Sequence, residues 1–181
     1  MAGERIRAPA GGAECAQENV TQLERLLAAL NDAGVQYIVV GGVAARAHGS
    51  ARLTDDLDIS YARNSTNLTR LVTALTPLHP YLRGAPAGLP FEWSAATLRA
   101  GLNFTLTTSA GPIDLLGEIV GGGTYENLLP HALAITLFGA EVRLLDLPWL
   151  IRVKRAAGRP KDLEVIAELE ALQEEIEGLD S

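Results

Sequence analysis

Three aspartates fall within four positions, Asp55, Asp56 and Asp58, in the stretch RLTDDLDIS (residues 52–60), where Leu57 and Ile59 otherwise read as the start of a buried strand. Strands are poor in Asp, because the short carboxylate competes for backbone hydrogen bonds and is costly to bury without a partner. On an extended chain Asp56 and Asp58 point the same way, with Cα atoms about 7 Å apart, while Leu57 and Ile59 face the core and Asp55 points away. Two carboxylates about 5 Å apart repel by roughly 3 kcal/mol at an effective dielectric near 20, and a divalent cation between them removes that cost. Mg²⁺ takes oxygen ligands, keeps several waters and is commonly held by one or two carboxylates plus substrate phosphates. A D-x-D strand therefore suits a metal–nucleotide site; the plain alternative is a pair of solvated acids at a strand end.

Two further features bear on that choice. Gly41-Gly42 follows the apolar run YIVV and precedes a helix-prone segment, a place where bare backbone N–H groups can approach a phosphate, or where the chain merely turns. Asp114 lies in IDLL among apolar neighbours, so it sits either at an exposed edge or on the same polar site as Asp56 and Asp58; Glu118, four residues on, is a weaker candidate. Arg152, Lys154, Arg155, Arg159 and Lys161 put five cations into ten positions, enough for an anion site or for a solvated helix face. His48, just before Gly49, reads as a helix end.

The elements that must position these residues follow from periodicity and punctuation. Residues 1–17 have the composition of a disordered leader. From Asn19 a helix is expected, with Leu23, Leu26, Leu27 and Leu30 on one face and Gly34 ending it. Then come strand 37–40, the glycine pair, a short helix over 43–48, strand 57–60, a helix over 64–75, and a Pro/Gly-rich loop from Pro77 to Pro90. LNFTLTTSAGPIDLLGEIV reads as a hairpin whose returning strand covers 113–119. A strand over 141–145 leads into helices over about 148–157 and 160–177, the second presenting Leu163, Ile166, Leu169, Leu172 and Ile176 to the domain. The sum is one α/β (α+β) domain over 18–181, a small mixed sheet with flanking helices.

Composition narrows the class. The chain has 181 residues, 48% of them hydrophobic, and neither a repeat nor a low-complexity block. No apolar run approaches the roughly 18 residues of a membrane span, and the first residues lack a signal-peptide core, so a cytoplasmic protein away from membranes is expected. Its single cysteine, Cys15, rules out an intrachain disulfide and a cysteine-based zinc site. The net charge of −7 argues against holding nucleic acid chiefly by neutralising phosphates. Eight acids lie in residues 162–181, so the remainder balances at +1.

The order GGVAARAHGSARLTDDLDIS, then GPIDLLGE, then KRAAGRPKDLEVI resembles the DNA polymerase β-like nucleotidyltransferase superfamily over about Leu23–Leu172. It is most similar to the small stand-alone bacterial branch that includes nucleotidyltransferase toxins of abortive-infection systems. Gly-Gly replaces the Gly-Ser of the better-known members. The resemblance implies metal-binding and catalytic roles for Asp56, Asp58 and Asp114, with Mg²⁺ or Mn²⁺ as cofactor. It places Gly41, Gly42, Arg52, Lys154 and Lys161 around a nucleoside triphosphate, although each cation can equally serve an ion pair with Asp162 or Glu164. The activity implied is transfer of a nucleoside monophosphate from an NTP such as ATP to a hydroxyl on RNA (a tRNA end, for instance), protein or a small molecule, with release of pyrophosphate. The toxin branch implies a partner antitoxin. Two other readings stand beside it: a catalytically silent nucleotide- or partner-binding module on the same fold, and a D-x-D glycosyltransferase, which leaves the glycine pair and the Lys…RPKD segment unexplained.

Overall fold

The computed structural model describes residues 13–179, with side chains at 22–160 and 162–179. In chain order, α1 (Ala13–Asp32) leads to β1 (Tyr37–Val40), α2 (Gly41–Ala47), β2 (Leu57–Tyr61), α3 (Ser65–Leu75), β3 (Tyr81–Leu82) and α4 (Ala95–Ala100). The hairpin β4 (Asn103–Thr108) and β5 (Gly111–Leu116) follows, then the short pair β6 (Glu118–Ile119) and β7 (Gly123–Thr124), and α5 (Tyr125–Leu128). A second hairpin, β8 (Ala132–Leu137) and β9 (Ala140–Leu145), precedes α6 (Leu147–Ala157) and α7 (Pro160–Leu179). Among the described residues, no helix is long and apolar enough to cross a membrane.

A seven-stranded mixed sheet runs in the order β3-β4-β5-β2-β1-β9-β8. β1 lies inside it, antiparallel to β2 and parallel to β9, and all four of its residues are buried, as a continuous run of β-branched and aromatic side chains requires. β2 in turn runs parallel to β5, with Asp58 directly opposite Asp114. α1 packs on α3, α3 on α4, and α6 on both α2 and α7. The helix ends carry their expected caps: Asn64 accepts from the Asn67 N–H at the start of α3, and Asp146 from the Trp149 N–H at the start of α6.

Asn67 fixes where the two central strands begin and end. Fully buried on α3, it accepts from the Gln36 N–H at 2.7 Å through Oδ1, and through Nδ2 donates to the carbonyls of Gln36 at 3.0 Å and Ala62 at 2.8 Å. Gln36 enters β1 and Ala62 leaves β2, so one amide ties the two strands together at the end of the pair opposite Asp58.

Several elements differ from expectation. α1 starts at Ala13, so residues 13–17 are helical, while 1–12 lie outside the described residues. The Pro77–Pro90 segment contains edge strand β3, held to β4 by ladder bonds despite its prolines. α4 and β8 stand outside the expected elements altogether. The returning strand does not run through to Ile119: it stops at Gly117, where a Cβ would come within 2.5 Å of the Leu102 carbonyl, and Glu118 turns out exposed in a separate ribbon. On α7, Val165, Ile166 and Leu169 are buried, but Leu163 is 65% exposed and Ile176 49%. The buried stripe begins one position earlier, at Asp162, so Leu163 is rotated out by about 100°.

Replacing Asn67 with Ala is expected to leave the Gln36 N–H and two carbonyls unpaired and to lower unfolding free energy by about 2–4 kcal/mol, read from urea denaturation.

Candidate functional site

Asp58 and Asp114 stand on adjacent parallel strands at directly paired positions, so their side chains leave the same face of the sheet. Asp56 lies just ahead of β2, one residue outside the strand, rather than on it. It joins Asp114 through a cation: Arg83, immediately after β3, donates from Nη1 to Asp56 Oδ2 at 2.8 Å and from Nη2 to Asp114 Oδ1 at 2.6 Å. The guanidinium is anchored from behind by the Leu106 carbonyl, which accepts from Nη2 at 3.1 Å and from Nε at 3.4 Å. Sequence reasoning misses Arg83 because it lies in YLRGAPAGLP, which reads as loop. The available signal is the alternating Tyr81-Leu82-Arg83 ahead of Gly84, an edge-strand pattern that ends on a cation.

The glycine pair has a definite steric function. A Cβ at Gly41, whose φ is +65°, would come within 2.0 Å of Asp58 Oδ2, and one at Gly42 within 2.6 Å of Thr54 Oγ1. Gly41 is also the first residue of α2 rather than part of a turn before it. The two glycines thus make room for Asp58 and for the loop that precedes it, and the Gly42 N–H donates to Asp58 Oδ2 at 3.4 Å.

That loop, residues 50–56, is held from the C-terminal helix. Glu168 accepts from the Ser50 hydroxyl and from the Ala51 N–H, both at 2.8 Å, and Glu164 pairs with Arg52. These bonds hold the Glu168 carboxyl below its usual range. Arg52 therefore points to α7 and not to the carboxylates. Lys154 is buried and lies 3.5 Å from Asp162, which also accepts from Arg159 at 2.7 Å. The Lys154 charge nevertheless reaches Asp58, whose pKa it lowers. The side chains of Lys161 and Cys15 lie outside those described. His48 caps α2, its N–H donating to Ala44 O, and its ring bonds the Leu145 carbonyl at 2.8 Å, as a helix-end residue would.

The Asp58 carboxyl is pushed up from its ordinary 3.8 to about 6, first by burial and then by the neighbouring Asp114, with Asp56 adding a smaller rise and the Gly42 N–H and Lys154 pulling the other way. Among the described residues, no three His, Cys, Asp or Glu side chains stand ready-grouped for a metal, since Arg83 spans two of the three acids. The donor set still fits a hard divalent cation. It is all oxygen, and Asp58 is a half-buried acid whose raised pKa marks an anion that a divalent ion would stabilise.

No protein-family model matches the chain, and no curated protein matches it in sequence. Solved structures do. The antibiotic-resistance factor ANT(2'')-Ia in solution superposes with a TM-score of 0.53 at 15% identity, over 90% of this chain and 92% of that one. ANT(2'')-Ia in complex with adenylyl-2''-tobramycin gives 0.50 at 14% identity, over 90% and 98%. An antigenic nucleotidyltransferase-like protein from Paracoccidioides brasiliensis gives 0.52 at 18% identity, over 87% and 76%. The fold is thus nucleotidyltransferase-like: a mixed sheet with flanking helices whose solved neighbours are nucleotidyltransferases.

The raised Asp58 pKa has a definite sign in stability. Below about pH 3 the group is protonated folded or unfolded and costs nothing. As pH rises to about 6 the unfolded chain ionises first, so the metal-free fold loses up to roughly 3 kcal/mol. In EDTA, Asp58→Asn is expected to melt higher than wild type at pH 7.5, with the difference vanishing at about pH 3 in paired thermal melts.

Proposed function

We propose that the protein is a metal-dependent nucleotidyltransferase that moves a nucleoside monophosphate from an NTP to a hydroxyl acceptor. The observation that carries this reading is the meeting of Asp58 and Asp114 on paired parallel strands, with Asp56 brought beside them, in a nucleotidyltransferase-like fold. Asp56, Asp58 and Asp114 would hold Mg²⁺ or Mn²⁺. When bound, the ion lowers the charge barrier between an anionic triphosphate and the attacking oxygen.

The chain's own residues do the rest. The acceptor oxygen bonds to the α-phosphorus, the bond from that phosphorus to the bridging oxygen breaks, and pyrophosphate departs. Asp114 takes the acceptor proton, a role that needs hydrogen-bond reach above all. The backbone at Gly41 and Gly42, at the start of α2, faces the phosphates beside Asp58. Lys154 contributes through its field at Asp58 while remaining paired to Asp162. Arg52 and Lys161 are secondary phosphate contacts, and Arg52 must first leave Glu164. For the acceptor, the adenylyl-2''-tobramycin held by ANT(2'')-Ia favours a small molecule as the first class to test, with a tRNA end or a protein hydroxyl next. A toxin role with an antitoxin partner follows only if RNA or protein takes the label.

A second reading, a silent binding module, draws on the Arg83 bridge, which already satisfies Asp56 and Asp114 without metal. The two separate on one experiment. The protein is incubated with Mg²⁺ or Mn²⁺, each α-labelled NTP in turn, and a panel of polyhydroxylated small molecules, bacterial RNA and protein extract. Label is expected in one acceptor fraction with wild type, and to fall at least about a hundredfold with Asp56→Asn and with Asp58→Asn. Metal-dependent NTP binding with no label in any fraction would favour the silent module.

A further inference from the structure

We propose that Arg83 is the resident counter-cation of the carboxylate cluster and competes with divalent metal for Asp56 and Asp114, so that the site takes up free metal weakly and fills when a nucleotide brings the ion. This rests on the metal–nucleotide reading of the site. The guanidinium fork occupies one oxygen of Asp56 and one of Asp114 with its two Nη atoms, at 2.8 and 2.6 Å. A divalent ion held by those same acids would bring two positive charges against the guanidinium's one at close range, so Arg83 and the ion weaken one another's hold.

The surroundings let Arg83 release the acids without unfolding anything. Its main chain stays tied by the Arg83 N–H to the Thr105 carbonyl at 3.0 Å, so the side chain can swing away from the two acids while β3 keeps its place. The residue stands at the end of edge strand β3, about one third exposed, and the chain beyond it turns at Gly84 and Gly88, both with positive φ and open space for 4 Å around the place a Cβ would take. A triphosphate supplies the negative charge that offsets the loss: the released guanidinium, still fixed beside the cluster, faces an anion instead of two carboxylates.

The test is a Mn²⁺ titration followed by electron paramagnetic resonance on the full metal-free chain, with no turnover required. Arg83→Gln is expected to bind Mn²⁺ alone at least about tenfold more tightly than wild type. Arg83→Lys, which keeps a charge but cannot span both acids, is expected between the two, and carries the test by itself if the Gln variant does not fold. In the double variant Arg83→Gln/Asp58→Asn the gain should disappear, because the ion sits in the cluster. Affinity in the folded Arg83 variants equal to or weaker than wild type would overturn the proposal, as would a gain that survives Asp58→Asn. The readout is metal affinity, so the outcomes separate: a tighter Mn²⁺ site with no labelled product removes the transferase reading alone, while labelled product with no affinity change removes this one alone.

Discussion

Asp56, Asp58 and Asp114 cannot all be ionised side by side without positive charge among them, and the surrounding structure is arranged around that constraint. Parallel pairing of β2 with β5 sets Asp58 against Asp114 in direct register, so the two side chains are neighbours on one face of the sheet. Left alone, such a pair would be driven toward the neutral form, and Asp58, half-buried between Gly41 and Asp114, already is. Arg83 relieves Asp56 and Asp114 directly, and Lys154 acts on Asp58 through space. Each of these cations has a second anchor, the Leu106 carbonyl for Arg83 and Asp162 for Lys154, so neither depends on the cluster for its place.

The same constraint bears on the uneven charge along the chain. Eight acids are concentrated after residue 161. In the structure Asp162 is buried between Lys154 and Arg159, Glu164 meets Arg52, Glu168 holds Ser50 and Ala51, and Glu170 meets Arg155. The exposed ion pairs among these add little stability individually. Their value is positional: Glu168, bonding a backbone N–H and a neighbouring hydroxyl, fixes the loop that carries Thr54 against Gly42 and delivers Asp56 to the cluster. The last helix thereby governs a loop more than a hundred residues earlier.

How much of this is legible in the sequence depends on whether the signal is local. The strand YIVV, the hairpin around Ser109–Gly111, the caps Asn64 and Asp146, and the Gly158 helix end can be read because short-range chemistry dictates them. Edge strand β3 cannot: its two residues owe their conformation to pairing with β4, and the flanking prolines argue for loop. Arg83 is lost with it. The glycine pair reads as space for a ligand's phosphates; its immediate cause is the Asp58 carboxylate and Thr54, long-range neighbours that no spacing reveals. Leu163 reads as inward because apolarity is the sequence's guide to burial, whereas a buried ion pair at Asp162 sets the phase of α7. In each miss a tertiary contact overrides a local preference.

At 14–18% identity to its solved neighbours the chain shares a fold, and a fold by itself fixes no chemistry. What selects among activities is the cost a site imposes on the protein that carries it. Ionised Asp58, set by strand register against Asp114, destabilises the empty protein, and an amide side chain there would relieve it, whereas Asp56 and Asp114 are held by Arg83. On the proposed transferase reading that cost has a use: a cation arriving with a triphosphate would meet the full strength of the Asp58 charge, with Arg83 holding the neighbouring acids until then.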